Sequence, residues 1–185
     1  EQRKGNGRQK GSDAVGTNFA ANMYSAPFAR LARHPRIVGP AMQVFGERVY
    51  MHQFKINGKM AFDGDVWQWH QDFGTWKNDD DMPEPRAMNV AIFLDEVNEF
   101  NGPLMFIPGR HTLGVIDAAH DTSTPSYPLC TIDHDTIARL VPRGALFPPK
   151  DPPGSRSLFP SLLVLPPPSN LPPFPLGLVR RYPSP

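Results

Sequence analysis

The chain has 185 residues, 39% of them hydrophobic and 20% charged, which is typical of a globular protein long enough to bury a core. Its 19 lysines and arginines nearly balance 18 aspartates and glutamates, so no strongly basic surface predicts nucleic-acid binding, and no run of about 18 apolar residues predicts a membrane span. A single cysteine, Cys130, excludes an internal disulfide framework, and with no visible secretory signal we expect a cytoplasmic protein.

The N-terminal third of the chain begins with a polar segment and continues with helical patterns. Residues 1–16 are polar and glycine-rich, and they predict a flexible lead-in to a single domain over 17–185. Apolar residues then recur at helix-like intervals over 28–45. Pro35 and Pro40 divide this stretch, and each suits the first turn of a helix. Two short helices are therefore predicted.

The middle of the chain has the pattern of short strands. Residues 49–57 alternate between polar and apolar, and 88–95 form a more continuous apolar run. Strand signals continue through 104–107, and glycine-containing turns separate the three segments. Short strands separated in this way predict a sandwich or jelly roll and not an alternating βα fold.

The C-terminal part combines a predicted helix with a proline-rich segment. Residues 132–140 have helical character, with Asp133 or Asp135 suited to cap them. Fourteen of the 23 prolines lie in the last 44 residues, 142–185. Short apolar pieces in that segment, such as 158–159, still resemble strands, although consecutive prolines further on would remove ladder hydrogen bonds.

The most informative motif is Trp69-His70-Gln71-Asp72. In an extended strand, residues i and i+2 point to the same side, so His70 and Asp72 can present an imidazole and a carboxylate to one metal ion. Such a pair supplies two of the three ligands of a 2-His-1-carboxylate iron site. Four aromatic residues surround the pair and can exclude water from it: Trp67, Trp69, Phe73 and Trp76. The alternative is a structural pair on a partly exposed edge strand.

Several stretches around this motif match a known family: 33–43, 52–57, 64–72, 89–97, 101–109 and His111. They resemble the phytanoyl-CoA dioxygenase-like (PhyH) family, and within it the bacterial proline trans-4-hydroxylases and ectoine hydroxylases. The resemblance implies a mainly β fold, a double-stranded β-helix or cupin-like jelly roll with flanking α-helices. It also implies Fe(II), 2-oxoglutarate as co-substrate, dioxygen, and hydroxylation of a small amino acid or zwitterion. Proline is favoured because ectoine hydroxylases tend to carry serine where Ala91 stands.

The resemblance also assigns roles to individual residues. His70 and Asp72 become iron ligands and catalytic residues. Gln53 and Asn57 match positions that contact 2-oxoglutarate or substrate, and their amides suit carboxylate and amine partners. Trp76 matches an aromatic residue near the substrate. Without the family, the two amides would be a solvent-facing row on one face of a strand, and Trp76 would be ordinary core.

The C-terminal part departs from the family at two positions. In the family, a distal histidine in a Leu-Leu-Val-His-like segment completes the iron site, and an arginine eleven residues later binds 2-oxoglutarate. Here Leu165 and Leu176 stand in those places, and His111 corresponds to a structural histidine of a family turn. Leucine has no lone pair, and loss of the arginine removes charge-assisted hydrogen bonds worth about 1.5–3 kcal/mol each.

Several interpretations of this departure are open. The tail can be the degenerate C-terminus of a catalytically impaired relative that acts as a binding or scaffold protein. An error in the sequence of 142–185 would also explain its prolines. A histidine from another segment or chain could complete the site, and a polyproline ligand for SH3-like domains is a weaker alternative. The oligomeric state, the exact substrate and the regiochemistry do not follow from the sequence.

Overall fold

The computed structural model describes residues 5–8, 15–58, 68–98, 103–121, 129–141 and 152–165. Within these ranges the chain forms two compact units, the first reaching Gly58 and the second starting at Gln68. The single domain predicted over 17–185 stays a prediction; the N-terminal residues of the first unit form a sheet. None of the helices in the described ranges is long and apolar enough to cross a membrane.

The first unit contains a three-stranded antiparallel sheet. Its strands are β1 (Gly5–Arg8), β2 (Val15–Phe19) and β3 (Lys55–Asn57), in the order β1-β2-β3. The lead-in predicted as flexible over 1–16 thus includes a strand, whose backbone groups pair with those of β2. The strand predicted over 49–57 is much shorter than expected, because only its last three residues pair with β2.

Two helices connect β2 to β3, as the sequence predicts. They are α1 (Ala26–Ala32) and α2 (Pro35–Phe45). Pro35 occupies the first turn of α2, where a missing N–H leaves no helical bond unmade, and His34 caps the helix by accepting a main-chain N–H bond of 3.2 Å. Pro40 lies inside α2, so it does not start a helix.

The second unit contains α3 (Asp72–Asp79), β4 (Met88–Ile92), β5 (Ala119–Asp121), β6 (Leu129–Thr131), α4 (His134–Leu140) and β7 (Arg156–Pro160). β4 pairs antiparallel with β7, and β5 with β6. β4 confirms a predicted strand, and β7 shows that an apolar piece of the proline-rich segment also forms one. Pro160 is tolerated there because β7 is an edge strand: among the described residues it pairs only with β4. Residues 104–107 lie outside these strands; Ile107 is fully buried, so the apolar character of this segment reflects packing.

Helix α4 confirms a predicted helix and identifies its cap. The Oδ1 of Asp133 accepts a hydrogen bond of 2.8 Å from the main-chain N–H of Thr136. Hydrogen bonds from the main chain and side chain of Thr136 hold the pKa of Asp133 below its ordinary value. Asp135, the other candidate, lies in the first turn, where the helix dipole favours a negative charge.

His70 extends the pair β5–β6 into a longer antiparallel row. It bridges Thr131 of β6 on one side and Leu165 on the other. The N–H of His70 donates to the carbonyl of Leu165 at 3.1 Å, and the N–H of Leu165 donates back at 2.9 Å. On the opposite side, Ile132 N–H donates to the carbonyl of Trp69 at 2.8 Å. These bonds follow the alternation of an antiparallel ladder.

The two faces of this row have different neighbours. Side chains of directly opposed residues lie on the same face, so His70, Thr131 and Leu165 share one face of the row. Trp69 points to the other face, where it belongs to a buried apolar cluster with four further residues, Ile107, Ile132, Ile137 and Val164. The row therefore separates the apolar cluster around Trp69 from the face that carries His70.

Candidate metal centre

The imidazole of His70 is buried and oriented by the main chain. Only 4% of the residue is exposed, and its Nδ1 lies 2.6 Å from the carbonyl oxygen of Gln68. Because a carbonyl oxygen can only accept, Nδ1 carries the proton, and in the neutral ring the lone pair is on Nε2. Nε2 lies 3.7 Å from Oδ1 of Asp72.

Asp72 is the first residue of α3, whereas the motif predicts an extended strand through both residues. Gln71 between them is still extended, with φ −112° and ψ 132°, so the side chains at 70 and 72 still reach the same side. Asn89 of β4 donates from Nδ2 to Oδ2 of Asp72 at 3.0 Å. Oδ1 is therefore the carboxylate oxygen that faces His70.

The two facing atoms are both electron-pair donors. A carboxylate oxygen and an imidazole lone pair in a buried site repel each other unless a proton or a metal cation lies between them. With His70 Nε2 and Asp72 Oδ1 3.7 Å apart, a single cation can lie roughly 2.1 Å from each of them. The pair formed by His70 and Asp72 can thus supply two ligands to a divalent cation.

A third protein ligand is lacking in the part of the chain that the structure describes. No group of three histidine, cysteine, aspartate or glutamate side chains converges there. Leu165, opposite His70, is 5% exposed. It belongs to a buried apolar cluster with Phe159 and Leu163, against which Ala91, Leu104 and Phe106 pack. The residues present therefore fit a metal ion with two donors and do not complete a three-ligand site. Leu176 lies outside the described residues.

The other predicted site residues are distributed over both units. Trp76 is buried on α3, one helical turn after Asp72 and on the same helix face. Gln53 and Asn57 belong to the first unit, and only Asn57 lies on a strand, because Gln53 precedes β3. Gln53 Oε1 is buried and accepts no hydrogen bond from the described residues, whereas Asn57 Oδ1 accepts one of 3.3 Å from Thr17.

Sequence reasoning missed two amide side chains that hold this centre. One is Asn89, the donor to the carboxylate. The other is Gln71, which is 2% exposed and points to the core face. Its Nε2 donates to the carbonyls of Gly114 at 3.0 Å and Leu162 at 2.6 Å, and its Oε1 accepts from Ile116 N–H at 2.9 Å. The available signal was an amide within an aromatic or apolar segment: Gln71 lies between Trp69 and Phe73, and Asn89 lies between Met88 and Val90.

The fold and the His-x-Asp pair define a class of protein. Residues 2–142 match the family model described as "Phytanoyl-CoA dioxygenase (PhyH)". This match covers well over half of the sequence. The chain belongs to the phytanoyl-CoA dioxygenase family, as the sequence resemblance implies.

Curated relatives include two kinds of hydroxylating enzyme. The chain is 44% identical over 117 residues to the L-proline trans-4-hydroxylase of Streptomyces griseoviridis, covering 63% of this chain and 42% of that protein. It is 33% identical over 170 residues to the ectoine dioxygenase of Sphingopyxis alaskensis, covering 89% of this chain and 56% of that protein. The chain thus spans about half the length of these relatives. The second alignment is long enough that it must extend into the proline-rich segment.

Solved structures of similar fold include crystal structures of EctD. The crystal structure of EctD from S. alaskensis with bound Fe has a TM-score of 0.73 at 32% identity, over 86% of this chain and 53% of that chain. The structure of EctD with 2-oxoglutarate and 5-hydroxyectoine has a TM-score of 0.71 at 34% identity, over 83% and 50% of the two chains. Most of this chain therefore shares the fold of EctD.

Proposed function

We propose that this chain is an iron(II)- and 2-oxoglutarate-dependent dioxygenase that hydroxylates a small free amino acid or related zwitterion, with L-proline as the first candidate. Family membership and the names of the relatives support the reaction class. The observation that carries the proposal is the approach of His70 Nε2 to Asp72 Oδ1 at 3.7 Å on a buried face. Two such donors are what iron(II) accepts from imidazole and carboxylate ligands.

We also propose that the second unit is built on a jelly roll. The paired strands β4 and β7 and the row through β5, β6 and His70 are all antiparallel, which that architecture requires. The similarity to EctD supports the same proposal.

Bound iron(II) would supply the chemistry by which dioxygen oxidises both compounds: one oxygen atom converts a C–H bond of the substrate to C–OH, and the other converts 2-oxoglutarate to succinate and carbon dioxide. The chain's own residues bind and orient. The carbonyl of Gln68 fixes the ring of His70, and Asn89 fixes the carboxylate of Asp72. Trp76, buried on the same helix face as Asp72, would exclude water and contact the substrate.

The proposed roles of Gln53 and Asn57 rest on the family resemblance. An additional argument applies to Gln53, whose buried Oε1 accepts no hydrogen bond from the described residues. Such an oxygen gains stability when a donor arrives, and the ammonium group of an amino acid is a donor without acceptor character. We assign Gln53 to substrate and 2-oxoglutarate contacts and Asn57 to 2-oxoglutarate.

The choice of proline over ectoine depends on a single position. Ala91 lies on β4, in the strand that also carries Asn89. Ectoine hydroxylases tend to have serine at this position, so an alanine favours the proline hydroxylases. Relatives of both kinds match the chain at similar identity, which makes ectoine the second candidate substrate.

The test is a turnover assay of the purified full chain with iron(II), 2-oxoglutarate and either L-proline or ectoine. Succinate and the hydroxylated product are measured by mass spectrometry, and His70→Ala and Asp72→Ala serve as controls because each removes one donor. We expect hydroxyproline with an equal amount of succinate, and neither compound from the two variants.

Each other result decides a different part of the proposal. Hydroxyectoine alone would show that the substrate assignment is wrong and the reaction class is right. A folded chain that forms no succinate with either substrate would refute the enzymatic proposal, and a binding or scaffold role would then be the better explanation.

A further inference from the structure

Leu165 lies directly opposite the candidate ligand His70 on a neighbouring segment. The two residues exchange both of their main-chain hydrogen bonds, at 3.1 and 2.9 Å. Side chains of such a pair project from the same face, with Cβ atoms about 4.5–5.5 Å apart. A donor group at position 165 would therefore stand beside the imidazole, on the face that the carboxylate of Asp72 also reaches.

The side chain at 165 cannot act as a donor, and its surroundings do not supply a substitute. It is a hydrocarbon, buried among the apolar side chains of Phe159 and Leu163. The neighbour of His70 on the other side is Thr131, whose hydroxyl donates to the carbonyl of Ala119 at 3.4 Å. Within the described ranges, no three potential ligands converge.

We infer that Leu165 occupies the position at which a third ligand would bind the metal. The chain therefore holds a divalent cation weakly. One imidazole at position 165 completes the site. The inference rests on the proposed function only for the kind of metal concerned. Groups that merely orient a ligand are worth about 10–100-fold in metal affinity. A direct ligand at 165 should therefore tighten binding by at least about 100-fold.

The experiment uses Co²⁺ as the probe, without 2-oxoglutarate or amino acid. The full chain and the variant Leu165→His are titrated by calorimetry, and the visible absorption of the bound ion reports its ligand number. The matched control is Leu163→His, which places the same side chain in the same apolar cluster, away from the position opposite His70. We expect Leu165→His to bind at least about 100-fold tighter than the parent, and Leu163→His to bind like the parent.

Two further variants complete the experiment. Adding His70→Ala to Leu165→His should remove the gain, since both ligands are needed. If Leu165→His does not fold, Leu165→Ala with free imidazole replaces it, and imidazole should then increase Co²⁺ affinity in that variant and not in the parent.

The inference is overturned if folded Leu165→His binds Co²⁺ no tighter than the parent does. It is also overturned if imidazole has no effect on the Co²⁺ affinity of Leu165→Ala. These results are independent of catalysis, because no co-substrate is present. Failure of turnover in a tightly binding Leu165→His variant would count against the proposed function alone.

Discussion

The carboxylate of Asp72 is a charged group in a buried position, and its two oxygens have different neighbours. Oδ2 accepts the amide N–H of Asn89 at 3.0 Å, while Oδ1 faces the ring of His70. Hydrogen bonds to charged groups contribute about 1.5–3 kcal/mol to stability. Asn89 therefore compensates part of the cost of burying this charge and fixes which oxygen points to the imidazole.

A double-mutant cycle measures this contact. We expect Asn89→Ala to lower the free energy of unfolding by about 1.5–3 kcal/mol, since it leaves a buried carboxylate oxygen without its donor. In the background Asp72→Ala the same change should cost much less, which gives a coupling of roughly 1–2 kcal/mol in urea unfolding. Equal effects of Asn89→Ala in both backgrounds would contradict the assignment.

At the scale of elements, Gln71 fixes the start of α3. Its amide makes three hydrogen bonds, to the main chain of Gly114, Ile116 and Leu162. The residue sits between the two candidate ligands, and its side chain points to the opposite face of the row. One amide thus ties the segment that carries both ligands to two distant parts of the second unit.

Replacing this amide tests its role. Gln71→Leu keeps an apolar stem of similar length and leaves two carbonyls and one N–H of partly buried residues without the amide that they contact. We expect the free energy of unfolding to fall by at least about 2–3 kcal/mol, measured by urea unfolding. The control is Gln68→Leu, three residues earlier, where only the main-chain carbonyl is used by His70. Similar losses in both variants would argue against a specific role for Gln71.

The cap of α4 predicts a dependence of stability on pH. Because hydrogen bonds from Thr136 lower the pKa of Asp133, its ionised form stabilises the folded state. This contribution is complete above the ordinary aspartate pKa of about 3.9 and is lost as the pH falls through the lowered value. We expect Asp133→Ala to lower the melting temperature at pH 7 and to have little effect in strong acid.

Asp133→Asn is the matched control for the cap, because an amide oxygen still accepts the N–H of Thr136 without a charge. It should retain most of the stability at pH 7 and should show a weaker pH dependence than the parent. If the melting temperatures of the parent and Asp133→Ala differ by the same amount at pH 7 and in strong acid, the charge of Asp133 is not involved.

Helices α1, α2 and α4 were more predictable than the strands, for physical reasons, whereas α3 was not predicted. Helix signals are local: prolines at first turns and a capping aspartate identify α2 and α4 from a few neighbouring residues. The strands depend on partners far along the chain. β4 pairs with β7 across more than sixty residues of sequence, whereas Ile107, in the apolar segment 104–107, is buried although it lies outside the strands. Hydrophobicity alone does not separate these two cases.

At the scale of the whole molecule, the second unit contains both the candidate metal centre and the single cysteine of the chain. Cys130 on β6 is 1% exposed, and α3 covers it: Thr75 Oγ1 accepts its N–H, and the amide of Asn78 donates to its sulfur at 3.1 Å. A reagent can therefore reach this thiol only when α3 separates from β6, which makes Cys130 a reporter of opening.

Thiol labelling checks that expectation. We expect Cys130 in the native chain to react at least about 1,000-fold more slowly than in urea-unfolded chain, since opening a packed domain costs roughly 5 kcal/mol or more. The labelling rate is followed by mass spectrometry at increasing urea, with Cys130→Ala as the blank. Native labelling at the rate of the unfolded chain would show that α3 does not cover the sulfur.

The approach of His70 to Asp72 and the position of Leu165 opposite His70 were predictable, whereas metal binding by the pair stays a prediction. The spacing of His70 and Asp72 predicts that their side chains reach the same side, and the structure retains this arrangement although helix α3 begins at Asp72. Leu165 faces His70 as the family frame implies. Asn89 was not predictable, because its contact with Asp72 joins residues seventeen positions apart through the packing of β4 on α3.

The alternation of faces through Trp69, His70 and Gln71 has an evolutionary consequence. Trp69 in the apolar cluster and His70 in the candidate site are adjacent residues on opposite faces of the row. Inserting or deleting one residue here would exchange the two faces, so that the indole would leave the cluster and the imidazole would enter it. Substitutions can change the chemistry of this centre one position at a time. A change of length cannot, and related chains should therefore differ in residue identity around the motif and not in its spacing.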